Sequence, residues 1–149
     1  VVRAVSNINS IVSLAPGSFG AALTTEMVEN GEIIRISREI VKPYYKEKSL
    51  KAIAWLHREL KGLDYYVHKS EGAMFLWLWF KDLPISSYEL YERLKKRNVL
   101  IVSGHYFYPG LDDQQWPHSR ECIRMTYSMS EDVVEAAIKI IADEVRSLY

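Results

Sequence analysis

The stretch Glu71-Gly72-Ala73-Met74-Phe75-Leu76-Trp77-Leu78-Trp79-Phe80 decides how the rest of the chain is read. A turn at Glu71-Gly72 delivers an unbroken apolar run, 73–80. The run falls well short of the ~20 residues that cross a bilayer as a helix. Its bulky aromatic content predicts a strand buried on both faces, with Phe75, Trp77, Trp79 and Phe80 in the core. Asp82 to Pro84 break it.

Downstream, Ser86 or Ser87 caps a helix with Glu89 in its first turn, running to Arg97 and closed by Asn98. Val99-Leu100-Ile101-Val102 reads as a strand. Residues 103–119 form a long irregular stretch punctuated by Gly104, Pro109, Gly110 and Pro117, and structureless loops of such length are usually functional. Residues 122–127 make another strand. Ser130-Glu131-Asp132 opens a last helix with apolar positions at 133, 134, 137, 138, 141 and 145.

Upstream, 65–68 is a short strand. Residues 32–61 carry apolar side chains at 33, 36, 40 and 44, then at 50, 53, 54, 56 and 60, the spacing of one helix face. Pro43 removes a backbone donor there and predicts a kink or break, and Gly62 supplies the stop. A helix of this length often bridges two domains, so we divide the chain into 1–61, the end of one domain plus the bridge, and 62–149, a second, smaller domain. Residues 21–29 form a short helix ended by Asn30-Gly31, after a loop at 14–20. The order is helix, helix, β, β, α, β, loop, β, α, which implies an α/β (α+β layered) unit with a three- or four-stranded sheet covered by helices.

The 149 residues are 48% hydrophobic and 26% charged, a globular mix. Nineteen basic residues balance nineteen acidic ones, which argues against nucleic acid and against a polybasic membrane contact. The lone Cys122 makes no internal disulfide, and with His57, His68, His105 and His118 it shows no metal-ligand spacing. Val1 reads as a point inside a longer chain, as in a processed or truncated product.

Arg124 is the candidate for chemistry. It sits among apolar residues in a strand that follows the long loop, where a guanidinium is costly unless paired. Its planar fork suits a carboxylate. The plainer reading is an exposed arginine, or one paired with a structural acid such as Glu121. His105, Tyr106 and Phe107 either narrow a pocket or pack on neighbouring helices. The charge clusters Lys46-Glu47-Lys48 and 93–97 read as solvated helix faces.

Several of these segments, in this order, resemble the small domain of fold-type I (class I/II) pyridoxal-phosphate aminotransferases. They are 71–78, then 99–102 with the Gly-aromatic loop at Gly104 to Phe107, then Cys122-Ile123-Arg124-Met125-Thr126-Tyr127. Residues 77–85, Pro109-Gly110-Leu111-Asp112, Trp116-Pro117-His118 and Ser13-Leu14-Ala15-Pro16-Gly17 are similar to the valine–pyruvate branch of that class. The resemblance covers essentially the whole chain. The chain departs from the pattern at Ser103, where the class usually has proline.

The resemblance implies a C-terminal small domain preceded by a long kinked interdomain helix, in a complete enzyme that uses pyridoxal 5'-phosphate. That enzyme passes an amino group from valine, or a related small apolar amino acid, to pyruvate, giving alanine and 2-oxoisovalerate. It implies a homodimer, an N-terminal large domain and a cytoplasmic setting. Arg124 would hold the substrate carboxylate, with Gly104 beside the substrate. Residues 13–18 would approach the partner's cofactor phosphate, the plainer reading of the same residues being a helix-capping turn, and no other cofactor contact is assigned. The cofactor's lysine lies upstream in such enzymes, and no lysine here sits in the Ser-rich turn that carries it, so this chain holds no catalytic residue. Three alternatives stay open: an aminotransferase with another amino donor, an aminotransferase-like sensing domain without turnover, and a plain interaction domain. The last requires Arg124 to be paired with an internal acid.

Overall fold

A computed structural model of the chain describes residues 18–111 and 116–149. The chain divides into two compact units, Val1–Val41 and Lys42–Tyr149.

In the first unit, helix α1 (Phe19–Glu29) ends at Asn30. The Asn30 side chain accepts from the Glu32 backbone N–H at 2.8 Å, and Gly31 takes the left-handed conformation, φ 75°. That turn starts helix α2 (Glu32–Ile36), which gives way to a π-helical turn at Ser37–Val41. No residue of these three elements is buried. Of the expected phosphate-approaching segment 13–18, only Ser18 is described; it precedes α1 and makes no side-chain capping bond.

The second unit begins with helix α3 (Lys42–Glu59). The distortion expected at Pro43 falls just upstream instead. Proline is tolerated in the first turn of an α-helix, but its ring conflicts with the carbonyl four residues back, and position 39 lies within the wider π turn. Gly62, φ 89°, ends this helical region. Strand β1 (Tyr65–Val67), strand β2 (Phe75–Phe80), helix α4 (Ser87–Lys96), strand β3 (Val102–Ser103), strand β4 (Cys122–Thr126) and helix α5 (Glu131–Arg146) follow. The sheet is four-stranded, in the order β1-β2-β4-β3, and every pairing is antiparallel. Ser86 caps α4, accepting from the Glu89 N–H at 3.1 Å.

One face of the sheet carries the core. Leu76, Leu78 and Phe80 of β2 and Ile123 and Met125 of β4 meet Ala52 and Leu56 of α3, Leu90 and Leu94 of α4, and Val134, Ile138 and Ile141 of α5. Each of the side chains larger than alanine contributes roughly 1.5–3 kcal/mol by leaving water.

Three sequence expectations are corrected. Strand β2 is not buried on both faces: Phe75 is 40% exposed, and Trp77 and Trp79 are only partly buried. Residues 99–101 lie outside any strand, although Val99 and Ile101 are buried; Leu100 is 70% exposed, and the ladder with β4 reaches only Val102 and Ser103. Lys48 is not on a solvated face. It is buried, and its Nζ donates to the backbone carbonyls of Ser128 at 3.1 Å and Met129 at 2.6 Å.

Candidate functional site

The period-two alternation of β4 sends Ile123 and Met125 into the core and turns Cys122, Arg124 and Thr126 to the opposite face. The register sets Arg124 between Trp77 of β2 and Val102 of β3, on the inner strand pair of the sheet. Phe75, Trp77 and Trp79 share that face, and Tyr66 of β1 stacks on Trp79 with ring centroids 4.9 Å apart.

The chain leaving β3 crosses this face at very close range. A Cβ added to Gly104 would lie 2.5 Å from the Cys122 carbonyl oxygen and 2.8 Å from the Cys122 Cβ, so only glycine permits the approach. The 3-10 turn Gly104–Phe107 then lays Phe107 against Trp77, edge to face at 5.1 Å. The Arg124 guanidinium is held by rings, its Cζ 4.3 Å from the Phe75 centroid and 4.9 Å from that of Phe107.

No carboxylate among the described residues pairs with Arg124, and its Nε is buried without a hydrogen-bond partner. Glu121, the acid suggested by sequence, accepts instead from the Trp79 indole at 2.7 Å. Cation–π contact returns ~0.5–2 kcal/mol, while a buried unpartnered donor costs ~1–3 kcal/mol and more when charged. The balance leaves a half-buried, ring-oriented guanidinium able to gain by accepting an anion. The interaction-domain reading required an internal acid on Arg124, and the geometry opposes it.

Cys122 is buried beneath the second 3-10 turn (Pro117–Arg120), its Sγ 3.5 Å from His118 Nε2, and burial pushes its thiol up to about 12. The His118 ring packs on Trp79 at 4.6 Å, a structural contact. An open cleft of about 620 Å3 lies on the β1 side, with Tyr66, Trp79, Tyr108 and His118 among its walls; Arg124 does not line it. Among the described residues, no group of His, Cys, Asp and Glu could hold a metal, and no helix is long and apolar enough to cross a membrane.

Sequence reasoning singled out Arg124, Gly104 and Phe107; the structure lays Phe107 over the Arg124 guanidinium and Gly104 against Cys122 on the neighbouring strand. That reasoning placed Phe75 and Trp77 in the core, whereas Phe75 lies against the Arg124 guanidinium and Trp77 against Phe107, because an aromatic strand looks alike whichever face it presents. It also missed the buried Ser87–Ser103 bond and its part-buried extension to His105, which spacing does not reveal.

The family profile "Aminotransferase class I and II" matches residues 1–141. The chain belongs to that family. Over its whole length this aminotransferase chain is 46% identical to the valine–pyruvate aminotransferase of Escherichia coli (strain K12), of which it covers 36%. It superposes on the crystal structure of valine–pyruvate aminotransferase from Salmonella typhimurium with a TM-score of 0.86 and 47% identity, over 99% of this chain and 38% of that one. A putative amino-acid aminotransferase from Psychrobacter arcticum matches with a TM-score of 0.89 and 46% identity, over 99% of this chain and 34% of that one. The chain thus spans a little over a third of the length of these relatives.

Among the described residues the one buried lysine, Lys48, spends its amine on backbone carbonyls and is not free to carry the family's cofactor, while the one unpartnered buried side-chain donor is a guanidinium, whose fork suits a carboxylate or a phosphate.

Proposed function

We propose that the chain is the C-terminal part of a pyridoxal-phosphate aminotransferase that moves an amino group between valine, or a similar small apolar amino acid, and pyruvate. The observation that carries this reading is Arg124, ring-clamped and unpaired, in a chain 46% identical to a valine–pyruvate aminotransferase. Arg124 binds the α-carboxylate common to amino acid and 2-oxo acid, and its two-pronged geometry fixes the orientation of the substrate. Phe75 and Phe107 hold the fork, and Gly104 allows the turn to come close enough to do so.

The cofactor, its lysine and the large domain come from the rest of the protein, which we take to be a cytoplasmic homodimer. In the complete enzyme, residues 62–149 form the small domain. The helix over 42–59 is the bridge to it, with Lys48, Ala52 and Leu56 already buried against the small domain.

Lysine at position 124 keeps the charge and loses the fork. In the complete enzyme, Arg124→Lys is expected to raise the KM for valine far more than it changes cofactor affinity. Equal valine affinity in variant and parent would sink the assignment. The substrate class is tested separately, by adding valine to the cofactor-loaded enzyme and following cofactor absorbance. A bound cofactor that ignores valine but responds to another amino acid would replace the donor and keep the family.

A further inference from the structure

Ser103, the last residue of β3, is buried at 1% exposure, and it precedes the turn that carries Phe107. Although it occupies the N-cap position of that turn, its side chain makes no capping bond. The hydroxyl instead lies 2.7 Å from the Ser87 hydroxyl and 2.7 Å from His105 Nδ1. Ser87 is itself fully buried in the first turn of α4, and His105 lies within the 3-10 turn. Three polar side chains from helix, strand and turn thus form one hydrogen-bonded chain in an apolar setting, where an unmade bond is costly. The chain fixes the start of the turn to α4. Gly104 against Cys122 fixes its height above the sheet, and Phe107 at its end lies over Arg124.

We propose that Ser87, Ser103 and His105 are positioning residues for the substrate carboxylate. They act through Phe107 to hold the Arg124 fork, and touch no substrate themselves. The inference rests on the reading of Arg124 as the carboxylate ligand. With neutral His105, Ser87 donates to Ser103 and Ser103 donates to His105 Nδ1, so each hydroxyl proton has a place.

The test measures inhibition of the complete, cofactor-loaded enzyme by isovalerate, a carboxylate of valine's shape without the amine, so that binding is read apart from turnover. Ser103→Ala and His105→Ala are each expected to weaken isovalerate about ten-fold, the scale of one lost hydrogen bond. His105→Asn, whose amide oxygen can replace Nδ1 as acceptor, is expected to restore most of the loss. In an Arg124→Lys background the same alanine substitutions are expected to add nothing, because the group they position is gone. A folded Ser103→Ala or His105→Ala enzyme with parental isovalerate affinity overturns the proposal. So does an undiminished loss in the Arg124→Lys background. Parental affinity in Arg124→Lys alone overturns the carboxylate reading instead, which separates the two failures. His105 is only partly buried, so its alanine variant keeps the test open if Ser103→Ala does not fold.

Discussion

A methyl group at position 104 would meet a backbone carbonyl at 2.5 Å, and backbone cannot swing aside as a flexible side-chain end can. Gly104→Ala is therefore expected to lift the 104–107 turn off β4, costing ~1–3 kcal/mol in urea unfolding, and to weaken substrate binding with it. Unchanged stability would mean that the strand yields. Beneath the 117–120 turn, the Cys122 thiol stays protonated in the fold up to about 12. A raised value gives a definite sign. The unfolded thiol ionises near its ordinary value while the folded one keeps its proton, so its contribution is complete below that value and is lost as pH climbs toward 12. The native protein should leave Cys122 unmodified by iodoacetamide at pH 8, and Cys122→Ala should flatten the alkaline fall in stability. Rapid native alkylation at Cys122 would contradict this burial.

Helix α3, the β4–α5 connection and the turn before β2 are joined by a few polar ties. Lys48 reaches the carbonyls of Ser128 and Met129, and the Tyr127 hydroxyl donates to the Ala73 carbonyl at 2.6 Å. Lys48→Met keeps the stem and removes the donor, and is expected to lose ~1–3 kcal/mol in thermal unfolding, with Lys48→Arg losing less. A neutral result would show that water serves those carbonyls equally well. These ties also mark where sequence reading stops. Helices α4 and α5 were legible from period and capping residues, because burial there follows local spacing. Residues 99–101 looked like strand because apolar residues enter a core equally well from irregular backbone, and only the partner strand decides the ladder. Lys48 looked solvated because nothing local shows that carbonyls 80 residues away close over its amine. Arg124 was legible as an anomaly, a charge amid apolar neighbours, whereas the rings that clamp it come from β2 and the 104–107 turn and needed the fold.

At the scale of the whole chain, the two units differ in how they are sustained. Lys42–Tyr149 owns the buried core, whereas the described helices of Val1–Val41 bury no residue and expose Phe19, Leu23, Ile34 and Ile40. Short helices without a packed face are marginal in water. Limited proteolysis is expected to cut first before residue 42 and leave 42–149 as a cooperatively unfolding remnant; first cuts inside α5 or the sheet would refute that. The π turn at Ser37–Val41 and the nearby Pro43 constrain each other. A turn closed over five residues holds one more than an α turn. Deleting a residue there alone would bring the Pro43 ring against the carbonyl behind it, and replacing Pro43 alone would leave the surplus residue in place. Only the two changes together give a uniform helix, so this stretch should behave as an epistatic pair, its length and its proline inherited or lost as one.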